Sequence, residues 1–261
     1  MHFVFPNGSS IPAKPYAPRP ETSLYFFPRD PEHIGYVDRD ALAKRAGACI
    51  YGQHTILNKR HVGQDFLGII VHFQPGVLHR LTGVPLDKLT NMHVAADQLV
   101  TKEVNAVNEY LAECNSYQAM LTEVESFLTK LIRQCKRDAD RVDRAATYLL
   151  QHHQNISMDW LASETCLSPR QFERKFKERN GVPASLLARI KRFNVSMRLK
   201  NANSAMDWLT VSLHSGYFDY QHMVKDYREF TGRTPTGFFE LEAKAPEKTF
   251  GLSEEDRLYR I

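Results

Sequence analysis

The spacing of apolar residues changes along the chain, and the first stretch is typical of β-structure. Residues 1–31 hold seven of the thirteen prolines, which lack a backbone donor and resist helix, so we predict an extended arm with one strand at Leu24–Phe27. From about residue 34 to 73, β-branched and aromatic residues form short runs with glycine punctuation, at Gly47–Leu57 and Phe66–Phe73. These runs predict strands of a small sheet or barrel, with a polar turn at Asn58–Gln64 between them.

After Pro75 the spacing becomes helical. Apolar residues from Val77 to Leu81 predict a short helix that ends at Gly83. Residues 99–114 and 117–135 then carry apolar residues three and four apart, which predicts two amphipathic helices. Helices of this length form either an antiparallel pair inside the chain or a dimer face, and we favour packing within the chain.

A charged segment, residues 136–141, is the predicted linker, and every later pattern is helical. The predicted helices after it span residues 142–150, 161–165, 168–180, 183–199, 206–214, 219–231 and 235–241. The predicted fold class is therefore α+β. A β-rich domain with a helical pair covers residues 1–135, an all-α domain covers 136–242, and a tail covers 243–261.

One pattern occurs twice in the helical part: a short helix, a turn, a second helix and a glycine. The tetrapeptide Met-Asp-Trp-Leu stands at 158–161 and again at 206–209, and the terminating glycines are Gly181 and Gly232. The spacing of the two tetrapeptides differs by two or three residues from the spacing of the repeated helices. The repeated order of helices is therefore better evidence than the identical tetrapeptide. It is the plan of a helix-turn-helix, whose second helix enters the DNA major groove.

The second helix of the first unit has the residues that this role requires. Phe172 and Phe176 suit its buried side. Its outer side carries donors that can reach bases and phosphates, namely Arg170, Gln171, Arg174 and Lys177.

Charge is distributed unevenly along the helical part. Residues 168–200 carry ten basic and two acidic residues, a net charge of +8, whereas residues 205–242 carry three basic and six acidic, a net charge of −3. A local excess of this size favours a polyanionic partner, although a solvated helical surface has the same composition. If DNA is the partner, the first unit and the helix after it supply most of the phosphate attraction.

Residues 142–242 resemble the double helix-turn-helix DNA-binding domain of the AraC/XylS family of transcription regulators. The first unit matches at Leu161-Ala162, Leu167-Ser168, Phe172, Arg174, Phe176-Lys177 and Gly181. The second unit matches at Gly216-Tyr217, Asp219, His222-Met223, Tyr227 and Gly232-x-Thr234-Pro235. The chain departs from the family at Cys166, where glycine is usual, and at Ser212, where alanine is usual; both residues are small, so we expect both turns to form.

The resemblance implies which residues meet DNA. Base-facing candidates are Arg170, Glu173 and Arg174 in the first reading helix and Tyr220, Gln221, Val224 and Lys225 in the second. The helix between the units resembles the family's rigid connector, and the resemblance implies backbone contacts from Arg189, Lys191 and Arg192.

The first half is similar to an N-terminal domain found on many bacterial AraC-type proteins. The residues that carry this similarity are Gly52-Gln53-x-Thr55, Phe73-x-Pro75-Gly76 and Leu81-x-Gly83-Val84-Pro85. By analogy this half binds an effector, dimerises, or does both.

Two residue types in the first half could form a ligand site. Seven aromatic residues either line an apolar pocket or fill the core, and we favour the core: Tyr25, Phe26, Phe27, Tyr36, Tyr51, Phe66 and Phe73. Five histidines, at positions 54, 61, 72, 79 and 93, include no His-x-His pair. We therefore expect no metal site and no cofactor.

Other classes of protein have little support. The chain contains no GxSxG, Walker-type, GxGxxG or HExxH motif, so an enzyme with a degenerate helical tail is a remote alternative. No apolar run approaches the length of a membrane span, and the first residues lack the pattern of a signal peptide. The four cysteines form no CxxC pair, which is typical of reduced, mostly buried thiols in the cytoplasm.

The sequence therefore predicts a sequence-specific, effector-responsive DNA-binding regulator of bacterial, cytoplasmic type. Its expected partners are double-stranded DNA, a small-molecule effector, a second copy of the chain and, for an activator, RNA polymerase. The main alternative is a DNA-binding protein whose first half only oligomerises and senses no ligand.

Overall fold

The computed structural model describes residues 1–36, 42–152 and 156–251. The first part of these ranges contains ten strands: β1 (His2–Val4), β2 (Lys14–Tyr16), β3 (Thr22–Phe26), β4 (His33–Tyr36), β5 (Ala43–Lys44), β6 (Ala48–Tyr51), β7 (Asn58–His61), β8 (Asp65–Leu67), β9 (Ile69–Phe73) and β10 (His93–Ala95). Three helices belong to the same part: α1 (Val77–Thr82), α2 (Glu103–Glu113) and α3 (Tyr117–Gln134).

The strands form two four-stranded antiparallel sheets, and β1 pairs separately with β8. The first sheet has the order β10-β6-β3-β9 and the second the order β2-β7-β4-β5. In the first sheet Leu24 lies opposite Ile50 and Val71, and Tyr25 lies opposite Cys49. Since successive side chains point to opposite faces, Leu24 and Tyr25 contribute to different cores.

Both faces of the first sheet are covered. One face packs on the helices α1–α3 through Leu24, Phe26, Ala48 and Ile50. The other face joins an aromatic core that contains Tyr25, Phe27, Cys49, Tyr51 and Phe66, together with Ile34 of the second sheet. A strand buried on both faces is apolar throughout, which explains the continuous apolar runs in the sequence.

The predicted turn at Asn58–Gln64 is wrong in its first half, because residues 58–61 form β7. This strand alternates as a strand should: Asn58 and Arg60 are buried, whereas Lys59 is exposed. Its inward residues are polar, so the alternation of apolar and polar residues that identifies a half-buried strand is missing.

The helical part follows the predicted order. Its helices are α4 (Arg141–Gln151), α5 (Met158–Glu164), α6 (Pro169–Asn180), α7 (Ala184–Ala202), α8 (Trp208–His214), α9 (Tyr220–Thr231), α10 (Pro235–Glu242) and α11 (Pro246–Thr249). The last residue of the predicted linker, Arg141, is already helical, because Asp140 caps α4. The α+β fold class is confirmed.

Each helix-turn-helix unit has its own core. In the first unit Leu161, Phe172 and Phe176 pack against Val142 and Leu149 of α4. In the second unit Met223, Tyr227 and Phe230 pack against Phe193 of α7 and Phe238 of α10. The helix α7 contributes to both cores and joins the two units.

The β-rich part docks on both units. Thr90 donates its hydroxyl hydrogen to the carbonyl of Gly181 at the end of α6 (2.6 Å). The backbone N–H of Leu57 donates to the carbonyl of Phe230 in α9 (3.0 Å), and the side chains of Leu57 and Ala17 complete the core of the second unit.

Part of the predicted tail packs back on the β-rich part. Glu247 forms an ion pair with Lys14 of β2, and the ring of Phe250 lies 5.1 Å from that of Phe5. Residues 252–261 lie outside the described residues.

The four cysteines are unpaired. Cys49 is buried, Cys114 and Cys135 are half-buried, and Cys166 is exposed, so the expectation of mostly buried thiols is wrong. Across the described helices, none combines the length and the apolar character that crossing a membrane requires.

Candidate nucleic-acid interface

The first reading helix, α6, is fixed at both ends by its own sequence. Ser168 accepts a hydrogen bond from the backbone N–H of Gln171, and the Gln171 side chain accepts from the N–H of Ser168 in return. This reciprocal cap, followed by Pro169, defines where the helix starts. Gly181, with a φ of 88°, ends it in the left-handed conformation.

The outer face of α6 presents a polar row to solvent. Phe172 and Phe176 point into the core, as predicted. The exposed residues are Arg170, Gln171, Glu173, Arg174 and Lys177. The structure therefore brings all five predicted residues of this helix to the surface, although the side-chain oxygen of Gln171 is already used in the cap.

The second reading helix, α9, is capped by Asp219, which accepts a hydrogen bond from the N–H of His222 (2.8 Å). Gln221 and Lys225 are exposed, as expected for residues that meet DNA. Tyr220 is half-buried and packs against the core of the second unit.

The outward position expected for Val224 is wrong. Val224 is 7% exposed, because it lies next to Met223 on the inner side of α9. Its side chain is therefore not presented at the surface.

Of the three candidate DNA-contacting residues on the connector α7, one already forms ion pairs inside the protein. Arg189 forms ion pairs with Asp226 (2.7 Å) and with Glu229 of α9. The hydrogen bond to Glu229 is the main reason that the pKa of Arg189 is raised. Its guanidinium links the connector to the second unit, and the two carboxylates there compensate its charge. This differs from the contact with the DNA backbone that the resemblance implied.

Lys191 and Arg192, the other two connector candidates, are half-buried. Burial lowers the pKa of Lys191, and the nearby charge of Arg198 lowers it further. Arg192 lies 5.6 Å from the ring centre of Tyr217, and its Nε atom has no hydrogen-bond partner.

Three further exposed basic residues of the helical part lie outside the predicted set. Arg198 is exposed on α7, Arg228 on α9 and Arg233 in the turn after it. Helical spacing alone does not separate such residues from solvated ones. One sequence feature could have indicated Arg198: it lies two helical turns after Lys191, on the same side of α7 and in the same basic run.

The turn between the paired helices differs in the two units. Cys166 in the first turn has a φ of 56°, and Gly216 in the second has a φ of 82°. Both turns therefore use the left-handed conformation that favours glycine. The expectation that the first turn forms despite its cysteine is confirmed.

The carboxyl end of α6 contacts the β-rich part. A small cleft lies there, lined by residues that include Gln53, Leu86, Arg179, Asn180 and Leu187. Contact with the β-rich part therefore involves the end of α6, while the outer row stays at the surface.

The predicted aromatic core of the β-rich part is largely present, since Tyr25, Phe27, Tyr51 and Phe66 pack together. A second small cleft adjoins it. Among the described residues, no group of three or more histidine, cysteine or acidic residues is arranged to hold a metal ion.

Comparison with known proteins identifies the helical part. Residues 161–240 match the family model described as "Helix-turn-helix domain". This match confirms the predicted helix-turn-helix domain. No curated protein matches the sequence.

Solved structures of similar fold include ToxT from Vibrio cholerae bound to (E)-4-(8-methylnaphthalen-1-yl)but-3-enoic acid, with 10% identity, a TM-score of 0.51, and coverage of 93% of this chain and 98% of that chain. The DNA-binding domain of AdpA in complex with a target DNA is 20% identical, with a TM-score of 0.37 and coverage of 40% and 95%. A DNA-binding transcriptional dual regulator from Escherichia coli K-12 is 21% identical, with a TM-score of 0.35 and coverage of 41% and 96%. The ToxT similarity supports the two-part architecture.

Proposed function

We infer from the AraC-type helix-turn-helix domain at residues 161–240 that the protein is a DNA-binding transcription regulator, with α6 and α9 as its reading helices. The observation that carries this assignment is the exposed polar row on α6, backed by a closed apolar core. Two such helices on one connector suit consecutive major-groove segments on one face of DNA.

Within this proposal the two reading helices have different roles. Arg170 and Arg174 can donate to guanine edges, and the surrounding excess of positive charge adds attraction to phosphate. Gln221 and Lys225 can read bases in the second half of the site, but the carboxylates at positions 226 and 229 on the same helix reduce the phosphate attraction there. Arg189 of the connector pairs with both carboxylates, which compensates one of their two negative charges and leaves Arg189 unavailable to phosphate.

Footprinting and gel-shift titration of the full chain test this division. Replacing Arg170 and Arg174 together by alanine should abolish specific binding. Replacing Gln221 and Lys225 together should leave measurable binding and relax the selectivity of one half of the site. The matched control removes two exposed charges elsewhere, Arg133→Ala with Lys136→Ala, and should leave the footprint unchanged.

Three outcomes would contradict the proposal. Unchanged binding of the Arg170/Arg174 pair would remove α6 from the interface. Loss of binding only for the Gln221/Lys225 pair would reverse the ranking of the halves. An equal loss for the control pair would show that net charge alone, without a reading helix, determines binding.

We further propose that the β-rich part controls the reading helices in response to a small molecule. Its contacts with both Gly181 and Phe230 place it where a change in its shape reaches both units. A ligand that binds only the folded form must raise the stability of the protein in proportion to ln(1 + [L]/Kd). A protein that only oligomerises through this part would show no such rise with any ligand.

The remaining proposals concern assembly and place of action. We propose a homodimer that acts in the bacterial cytoplasm as an activator in contact with RNA polymerase, and that has no catalytic activity. Sedimentation equilibrium tests the dimer, and a reporter fused to the selected operator tests activation. A reporter that falls when the protein is expressed would identify a repressor instead.

A further inference from the structure

One aromatic side chain of the second unit lies outside its core. Phe218 is 88% exposed, the highest value among the large apolar side chains of the described residues. The adjacent Tyr217 is 6% exposed and packs in the core of the second unit with Met223, so the fold does not need the Phe218 ring. Isolated apolar residues are common on protein surfaces, and what such a ring can do therefore depends on its position.

Phe218 is an additional residue in the second turn. In the first turn, one residue separates the left-handed Cys166 from the helix cap Ser168. In the second turn, two residues separate the left-handed Gly216 from the helix cap Asp219. The first of these two residues fills the core, and Phe218 lengthens the turn. Its ring therefore lies directly before the start of α9, at a place where the first unit has no side chain.

The first turn of α9 orients the Phe218 ring. Asp219 accepts a hydrogen bond from the backbone N–H of His222 (2.8 Å) and lies 2.9 Å from Nδ1 of the His222 ring. The rings of Phe218 and His222 meet edge to face, with centres 6.0 Å apart and planes at 88°, an arrangement that aromatic pairs prefer. A residue before a helix cap often folds inward onto the fourth helical residue, which is Met223 here. Phe218 instead stays on the outside of the helix start.

Phe218 extends the exposed row of α9 beyond its amino end. Gln221 and Lys225 are exposed one helical turn apart, and Phe218 precedes Gln221 by a further three residues. The amino-terminal residues of a reading helix are the ones that contact base edges in the major groove. The second unit has a net charge of −3 over residues 205–242 and attracts phosphate weakly, so an apolar contact with a base would add affinity that does not depend on charge.

We propose that Phe218 contacts the C5-methyl group of a thymine in the major groove and makes the second half of the operator selective for an A·T pair. This proposal rests on the proposed function, because it assigns a further specificity-determining residue to the same reading helix. Thymine is the only base of DNA that presents a methyl group in this groove, and a phenylalanine ring can make apolar contact with it. Gln221, which can bond to adenine, is a suitable neighbour within the same half-site.

Deoxyuridine substitution in the operator tests the contact, because uracil differs from thymine only in lacking the methyl group. The operator is first selected from random DNA with the full chain. The half-site that α9 reads is the one in which the Gln221/Lys225 double variant loses selectivity, and each thymine on either strand of this half-site is then replaced in turn. Gel-shift titration should show a loss of affinity of about fourfold at one thymine, the size expected for one buried methyl group, and no loss at the others.

Variants assign the effect to one side chain. Phe218→Ser should bind the unmodified operator more weakly and lose its sensitivity to deoxyuridine, with an unchanged Tm because the ring is exposed. Its salt dependence should equal that of the parent, since an apolar contact releases no counterions. Phe218→Leu keeps an apolar side chain and should retain part of the sensitivity. The matched control, Leu213→Ser, removes another exposed apolar side chain of the second unit and should keep the full sensitivity.

The proposal is overturned if the selected half-site requires no thymine, if no deoxyuridine substitution weakens binding, or if Phe218→Ser keeps the sensitivity. It is also overturned if Phe218→Ser binds the operator normally and lowers the output of the reporter, which would assign the ring to a protein partner. The two proposals fail in different ways. Specific binding without a deoxyuridine effect removes only the thymine contact, whereas a full chain that selects no DNA sequence removes the proposed function together with it.

Discussion

At the scale of single residues, Cys166 carries a conformational cost that its counterpart Gly216 avoids. The two occupy equivalent turns, and both have positive φ values. For a residue with a Cβ atom, the left-handed conformation costs roughly 1–2 kcal/mol. Glycine avoids this cost but loses more conformational entropy on folding, which offsets part of its advantage. Packing of the helices on either side therefore keeps the turn of the first unit in this conformation.

We expect Cys166→Gly to stabilise the protein by about 0.5–1 kcal/mol. The side chain is exposed, so the substitution removes little packing. Urea unfolding of the full chain measures the change as a higher midpoint. In the reverse experiment Gly216→Ala should lower the midpoint. A Cys166→Gly protein that is less stable than the parent would show that the thiol makes a favourable contact.

A second residue-scale prediction concerns acid. Burial, together with the charges of Arg60 and Arg45, lowers the pKa of His54 to about 3, whereas the unfolded chain has an ordinary histidine pKa near ~6.5. Between these values the unfolded state binds more protons, so stability falls as pH falls from about 6.5 towards 3. Well above pH 6.5 His54 is neutral in both states and contributes no pH dependence.

From this shift, we expect His54 to lower the free energy of unfolding by about 2 kcal/mol between about pH 7 and pH 5. Urea unfolding at the two pH values in Bis-Tris chloride measures the loss, and His54→Gln should show a loss smaller by this amount. Equal losses in the two proteins would mean that His54 is protonated at the lower pH in the folded state as well.

At the scale of helices, one buried ion pair joins α6 to the rest of the first unit. Arg179 near the end of α6 donates from Nε and from one terminal nitrogen to the two carboxylate oxygens of Asp143 in α4, both at 2.6 Å. The two side chains are 13% and 8% exposed. Asp143 also caps α4 through the backbone N–H of Asp140, so one carboxylate orients the two helices and fixes a helix start.

We expect Arg179→Met to destabilise the protein by roughly 3–5 kcal/mol, because it leaves the Asp143 carboxylate buried without its partner. Lys175→Met on the same helix is the matched control. Lys175 pairs with Asp140 at 3.5 Å with both side chains substantially exposed, and such pairs contribute about 0–1 kcal/mol. Similar losses for the two variants in chemical unfolding would contradict the distinction.

At the scale of the whole molecule, the β-rich part completes the core of the second unit. Leu57 and Ala17 pack among Phe193, Phe230 and Phe238. The sequence assigns residues 136–242 to a domain of their own, and a fragment of these residues would expose the apolar surface that Leu57 and Ala17 cover.

We expect the fragment to remain helical and to bind DNA with affinity that falls as salt rises, since phosphate contacts release counterions. Its Tm should lie below that of the full chain. Circular dichroism and salt-dependent gel shifts measure both properties. A soluble, helical fragment without DNA affinity at low salt would contradict the prediction.

The sequence was most informative where local chemistry decides structure. Gly181 and Gly232 mark helix ends through their positive φ values, and Ser168 and Asp219 mark helix starts through their caps. The position of α6 and its exposed row were therefore predictable. Val224 and Arg189 were not, because their placement depends on which side of α9 and α7 is covered by other helices.

The burial of Asn58 and Arg60 could not be predicted, for a related reason. Asn58 and Arg60 have the composition of a turn, and only the pairing of β7 with β2 and β4 places them inside the sandwich. Hydrophobicity identifies a core by its apolar residues. A core that contains charges becomes recognisable only when the strand partners are known.

The support of α6 and α9 by one connector and one docked domain has a consequence for the length of the operator. Each inserted base pair lengthens B-DNA by about 3.4 Å and turns the second half-site by roughly 34° around the duplex axis. Two reading helices held at Gly181 and Phe230 by the same domain cannot follow that rotation independently. We therefore expect a single base change in the operator to weaken binding less than the insertion of one base pair between its halves. The helical phasing of the two half-sites is then recognised as much as their bases.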